Sequence, residues 1–366
     1  MKMNFVAASA QDGDGLPGEG GAVDRRWKEW RSAADLYHSF FTGLILSVVT
    51  RRGVAAASEF VFRVFRRQQL ERFVPGLEKL GLSHLPPAVA AAQYHYLSNW
   101  IGGVSVECMI ESDRKAWIRY PPPRWIWRGT AICGVPGEVS QAMLRGWHGN
   151  NGVVLGDLRL GFVCTKQTVD GQDGLEGYYY LHDRPLDVDE RVTFARHLEA
   201  PRFDPATAPA LPVDSWPRHR LEKGDRNYAM EYVRTAAPVA VQLFGPDDAG
   251  YLLRLTGKLI GMQSCEEIAA AFPTEARGAD DFASLLGALF VAQGDDASFN
   301  AGRGGGEVRQ AKSALMSDVA DFHPACLQPL IGLVEGLAAG FGRGIAVGCD
   351  SGSTGDAPLV WTVTQR

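Results

Sequence analysis

Residues 92–133 read AQYHYLSNWIGGVSVECMIESDRKAWIRYPPPRWIWRGTAIC, and this stretch decides the fold. Tyr94 to Trp100 can form helix, and Gly102-Gly103 breaks it, because glycine reaches backbone angles other residues avoid. From Val104 to Glu111 the period-two alternation of a strand puts Val104, Val106, Cys108 and Ile110 on one face. Ser105, Glu107, Met109 and Glu111 fall on the other. Ser112 to Lys115 is polar enough to turn, and Ala116 to Tyr120 returns as the second strand of a hairpin. Helix, glycine corner and hairpin together predict an α+β protein.

Working upstream, Trp27, Trp30, Ala34, Tyr37, Phe41, Leu44 and Val48 recur at spacings of three and four, the mark of one helical face packed on a core. Gly53 ends that helix, a second runs from about Ala55 to Val74, and Pro75-Gly76 closes it. Residues 1–23, rich in Gly and Asp, have little to bury and are expected to be a disordered tail.

Downstream, Arg124–Cys133, Asp157–Thr165 and Gly177–His182 read as further strands, so that residues 104–182 supply a mainly antiparallel sheet of about five strands within an α+β unit, 24–200. Residues 201–217, with repeated proline, read as a linker. In 218–366 the pattern predicts a helical domain, including a helix over Glu307–Val319, that ends in a hairpin around residues 351–355. That last hairpin resembles the first: Val104, Val106 and Cys108 match Ile345, Val347 and Cys349, and each returning strand carries a tryptophan. A diverged internal repeat would explain this, and so would the small alphabet that buried strands share.

The chain of 366 residues has a net charge of -5 and no Lys/Arg stripe, which argues against nucleic acid and anionic membrane as partners. The longest apolar run, Phe40 to Val49, is shorter than the ~20 residues that span a bilayer. Six scattered cysteines without a C-x-x-C pair read as reduced thiols of a cytoplasmic protein.

Candidate chemistry gathers on histidines. His95 and Asn99, one helical turn apart, can address one ligand or sit in the core. Glu107 and Glu111 share a strand face and could act as acid and base, or orient a histidine, if that face were covered; otherwise they are solvated. His148, with Asn150 and Asn151, forms either a polar pocket wall or a helix cap. Lys166 on the strand of Cys164 could lower its thiol toward a nucleophilic thiolate, against the plainer reading of a buried strand residue. His182 lies at a strand end as a rim residue. His323 and Cys326 are only half of a metal site, and the glycines of 302–306 lack the G-K-[ST] ending of a phosphate loop, so no metal is assigned and no cofactor can be named.

The C-terminal part, from Tyr228-Ala-Met-Glu-Tyr through Leu285-Leu-Gly-Ala-Leu to Gly340–Thr364, resembles the helices-then-hairpin organisation of the 2-aminothiazoline-4-carboxylate hydrolase-like family. More distantly it is similar to four-vinyl-reductase domains. The resemblance implies hydrolysis of a small cyclic C–N compound or a related ligand-binding role.

Three functions are therefore carried forward. One is a hydrolase opening a small polar cyclic amide or amidine, with His95 or His148 activating water or a thiol such as Cys164 and Glu107 orienting the histidine. Asn99, Glu111, Asn151 and His182 would hold substrate. Another is a non-catalytic small-molecule binder or sensor in which the histidines only hydrogen-bond. A metal-dependent enzyme with His and carboxylate ligands is a third. A homodimer is compatible with all of them.

Overall fold

The computed structural model describes residues 19–302 and 304–366, and its architecture is α+β. Most of the expected N-terminal tail, residues 1–18, lies outside the described residues. α1 begins at Glu19 and continues to Lys79, bent at Gly53, whose φ of 84° and ψ of 170° are not helical. Both expected helices are thus present. The second continues through Pro75, and its inward positions Phe60, Val61, Val64 and Phe73 are fully buried.

α2 (Pro87–Ile101) starts on a proline, whose missing N–H would be unpaired there anyway. The hairpin of β1 (Glu107–Ser112) and β2 (Lys115–Tyr120) follows. The expected strand over Arg124–Cys133 is instead two short 3-10 helices, Trp125–Trp127 and Gly129–Gly134. The chain has already left the sheet at Pro121, where the prolines offer no ladder donors. α3 (Gly137–Trp147) and the one-turn α4 (Asn151–Val154) lead into β3 (Leu160–Lys166), β4 (Leu175–Leu181) and the short β5 (Val192–Phe194). The five strands form one sheet in the order β1-β2-β4-β3-β5, antiparallel except for β3 with β5.

After the proline-rich arm come α5 (Arg218–Phe244), α6 (Pro246–Ala271) and α7 (Ala279–Gln293). Next stands the largest departure from the sequence pattern. Glu307–Val319 contains no helix. β6 (Asp296–Gly302) and β7 (Gly305–Lys312) form a hairpin, with Val308 buried opposite Trp361. α8 (Gln328–Phe341), β8 (Ile345–Ser351) and β9 (Leu359–Gln365) complete the chain. The second sheet is antiparallel, in the order β6-β7-β9-β8.

The two halves repeat one order of elements: two helices joined at a glycine, a third helix, a hairpin, a helix, a hairpin. Gly53 and Gly245 occupy the two joints in the same conformation, the latter with φ 80° and ψ 160°. Pro87 stands as far after Gly53 as Ala279 after Gly245, and α2 and α7 are both 15 residues long. Each sheet orders its first four strands as first, second, fourth, third. By this order the partner of the β1–β2 hairpin is β6–β7, and the C-terminal hairpin corresponds to β3–β4. The residue matches with Ile345, Val347 and Cys349 therefore pair non-equivalent hairpins.

One hydrophobic core runs through both halves. α6 and α8 pack backbone against backbone: a Cβ on Gly336 would meet the Lys258 carbonyl at 2.1 Å, and one on Gly261 the Leu333 carbonyl at 2.3 Å. Two stretches, Arg25–Lys79 and Pro324–Phe341, are long and apolar enough to cross a bilayer by length and composition. Phe40, Phe41, Leu44 and Val48 of the first, and Leu330, Leu333 and Leu337 of the second, are buried inside the molecule.

Candidate functional site

A cavity of about 340 Å³ lies under the inner face of the first sheet. α1 contributes Phe65 and Gln68 to it, α2 His95 and Asn99, β2 Tyr120, α3 Met143 and Trp147, and α5 Tyr228, Glu231 and Tyr232. Exposed Arg72 and Lys79 stand at the mouth, where Arg72 pairs with Glu231 at 2.5 Å. The walls thus come from both halves of the chain.

At its heart, the rings of His95 and His148 stack with centroids 4.5 Å apart, and Phe162 extends the column behind His148 at 4.3 Å. Each imidazole is held by the same device. Tyr120 Oη lies 2.8 Å from His95 Nδ1, and Asn99 donates its amide to that oxygen at 3.4 Å and to the His95 carbonyl at 2.8 Å. Tyr179 Oη lies 2.6 Å from His148 Nδ1, and Asn151 donates to it at 3.0 Å. Asn151 is fixed in turn by Gln69, which donates to its oxygen at 3.1 Å and accepts from Asn150 at 2.7 Å. An amide N–H can only donate, which leaves each phenol proton free for an Nδ1; in that arrangement each neutral histidine carries its own proton on Nε2.

Both histidines are neutral. Burial pulls His95 down to about 3, with Arg124 adding to it; burial, then His95 and Arg124, hold His148 well below its ordinary value. A charged stacked pair beside a guanidinium would be unstable in so dry a place.

Three side chains here carry nitrogens that lack partners among the described residues: His95 at Nε2, Trp147 at Nε1, and Arg124 at Nε and Nη1. Arg124 is 9% exposed, lies over the Tyr120 ring at 4.4 Å and, among the described residues, pairs with no carboxylate.

Of the residues singled out in the sequence, His95, Asn99 and His148 line the cavity, and Asn151 stands behind the lining, linked to His148 through Tyr179. The others stand elsewhere. Glu107 and Glu111 lie on the outer face of the sheet, Glu107 on Arg119 at 3.0 Å, Glu111 accepting from Trp117 at 2.8 Å and pairing with Lys115 at 2.9 Å. Cys164 is fully buried, and burial pushes its thiol up to about 12, opposite in sign to what a nucleophile needs. Lys166 turns instead to Asp173 and Glu199. His182 packs edge-on against Tyr180, away from the cavity. His323 accepts from the Ala325 amide. Among the described residues no group of three His, Cys, Asp or Glu side chains is placed to hold a metal.

The sequence reading missed Arg124, Tyr120, Tyr179 and Trp147. For the tyrosines a signal existed: alternation in Leu175–Leu181 turns Tyr179 to the side opposite Tyr178 and Tyr180. Comparison with known protein families, with characterised proteins and with solved structures finds no match for this chain.

Proposed function

We propose that this chain binds a small planar molecule in the cavity between its halves, as a ligand-responsive binding protein. The observation that carries this reading is the stacked His95–His148 pair, each ring held at Nδ1 by a tyrosine hydroxyl that an asparagine also addresses. Fixed neutral donors within aromatic walls suit recognition, because they hold a ligand's acceptors without exchanging charge with it. The volume, about 340 Å³, suits a ligand of one or two rings.

Hydrolytic opening of a cyclic amide would need a base or nucleophile at the cavity. Both imidazole Nδ1 atoms are engaged by phenols, neither Glu107 nor Cys164 lines the space, and Glu231, a carboxylate that does, is paired with Arg72. Binding is accordingly the reading favoured here.

A fragment screen of planar heterocycles by ligand-observed NMR tests it, with Ser98→Trp as the partner variant. Ser98 lines the cavity and is only half-buried, so the indole can fill the space without breaking the core. Hits are expected for the wild type, lost in Ser98→Trp at unchanged melting temperature, and recovered chemically intact after incubation. Hits indifferent to Ser98→Trp would refute the site, and conversion of a hit to a ring-opened product would restore the hydrolase reading.

A further inference from the structure

We infer that the ligand is a small planar organic acid, bound as its monoanion with the carboxylate against Arg124. This rests on the cavity being a ligand site, and adds the charge of what it takes.

The argument starts from the cost of Arg124. A guanidinium stays protonated at any physiological pH, so a buried one needs an anion or a full set of acceptors. Arg124 has neither among the described residues: Nε and Nη1 are buried without partners, and its electrostatic neighbours are tyrosines, the face of Tyr120 at 4.4 Å and beyond it Tyr228 and Tyr232. A ring face returns only part of what is lost on leaving water. Arg226, comparably buried, also leaves its Nε without a partner, but its Nη1 donates to the Ala292 carbonyl at 2.8 Å. Arg124 differs in lining a cavity.

The neighbouring polar atoms share its preference. His95 Nε2, which carries the proton when the Tyr120 hydroxyl donates to Nδ1, and the Trp147 indole N–H are also buried without partners among the described residues. A site whose unpaired groups all donate selects a ligand whose polar atoms all accept, and a carboxylate is the compact group of that kind. The charge count sets its valence. One buried cation and two neutral donors balance one negative charge, and the stacked imidazoles, held neutral, add none. The nearest lining carboxylate, Glu231, is taken up by Arg72 at the mouth. Lys79, also at the mouth, adds positive potential along the way in.

The experiment is isothermal titration of the full chain with benzoate, pyridine-2-carboxylate and indole-3-carboxylate, with the matching neutral amides and with phenyl phosphate. It is repeated on Arg124→Met and Arg124→Lys. The acids should bind and the amides bind at least tenfold more weakly. Arg124→Met should cost the acids roughly 10- to 100-fold and leave the amides unchanged, and Arg124→Lys should restore part of the preference. Amides binding as well as acids, or a folded Arg124→Met retaining acid affinity, would overturn the anion assignment and leave the cavity reading intact. Tighter binding of phenyl phosphate would overturn the monoanion. If neither acids nor amides bind, both readings fall. Should Arg124→Met not fold, the acid-to-amide ratio in the wild type and in Arg124→Lys decides alone.

Discussion

His95 of α2 and His148, immediately after α3, lie ring on ring at 4.5 Å with 17° between their planes. Two elements far apart in the chain are thereby joined through groups that must stay uncharged.

That requirement fixes how stability responds to acid. In the unfolded chain the histidines titrate near 6.5, whereas in the fold burial lowers His95 and His38 to about 3 and His148 well below 6.5. Unfolding therefore takes up protons below pH 6.5. Stability is full above that pH and drains as pH falls toward 3, by up to about 1.4 kcal/mol per pH unit for each histidine. Asp295 opposes one of them: burial raises its carboxyl from 3.8 to about 6, so the folded state holds a proton that the unfolded chain releases, and stability gains as pH falls from 6 to 4. Urea denaturation between pH 4 and 8 should show a net loss on acidification, and His95→Phe should flatten it by about one proton. An unchanged slope in that variant would mean His95 is already charged in the fold.

Tyr120→Phe removes the hydroxyl that faces His95 Nδ1 and accepts from Asn99. The expected cost is about 1–2 kcal/mol, since buried partners are left unpaired. In ¹⁵N-resolved spectra His95 should pass from a single tautomer to a mixture. A single Nε2–H form persisting in the variant would show that something other than Tyr120 sets it.

Gly53 and Gly245 provide a clean test of backbone strain. Both sit at φ above 80° or at 80° with ψ near extended, and a Cβ at either would meet nothing within 4 Å. Alanine there is penalised by conformation alone, by about 1–3 kcal/mol at each site. Gly348→Ala, equally open but without a positive φ, serves as the control and should be near neutral. Equal melting temperatures for all three variants would contradict the shared joint geometry.

Gly336→Ala probes the opposite limit. Its methyl would run into the Lys258 carbonyl at 2.1 Å and the Met262 amide at 2.8 Å, both backbone atoms that cannot step aside. α6 and α8 must separate, at a cost of roughly 1–3 kcal/mol. Thermal denaturation measures it, and an unaltered midpoint would rule out the close approach.

The sequence was legible where one physical rule dominated. The stripe from Trp27 to Val48, the corner at Gly102-Gly103 and the hairpin from Glu107 to Tyr120 each follow from a single periodicity and a breaker. It misled where partners distant in the chain decide. Glu307, Arg309, Gln310, Ala311 and Lys312 are good helix formers, yet pairing of Val308 with Trp361 makes them strand. At the site, His95, Asn99 and His148 were visible as residue types, but alternation separates two strand faces without saying which is covered, so Glu107 and Glu111 read as neighbours of the histidines. Arg124 was hidden most completely. After three prolines it looks like any surface arginine, and its burial is created by Tyr120 and α5, which no local pattern announces.

Because Tyr228, Glu231 and Tyr232 of α5 close a space otherwise built by the first half, an occupant is gripped from both sides of the chain's midpoint. Its arrival tightens the hold of one half on the other, and its departure loosens that hold. Nicked within the proline-rich arm, the two pieces would become a pair whose reassembly depends on a third molecule, and the same cavity would then serve as the latch of a split reporter.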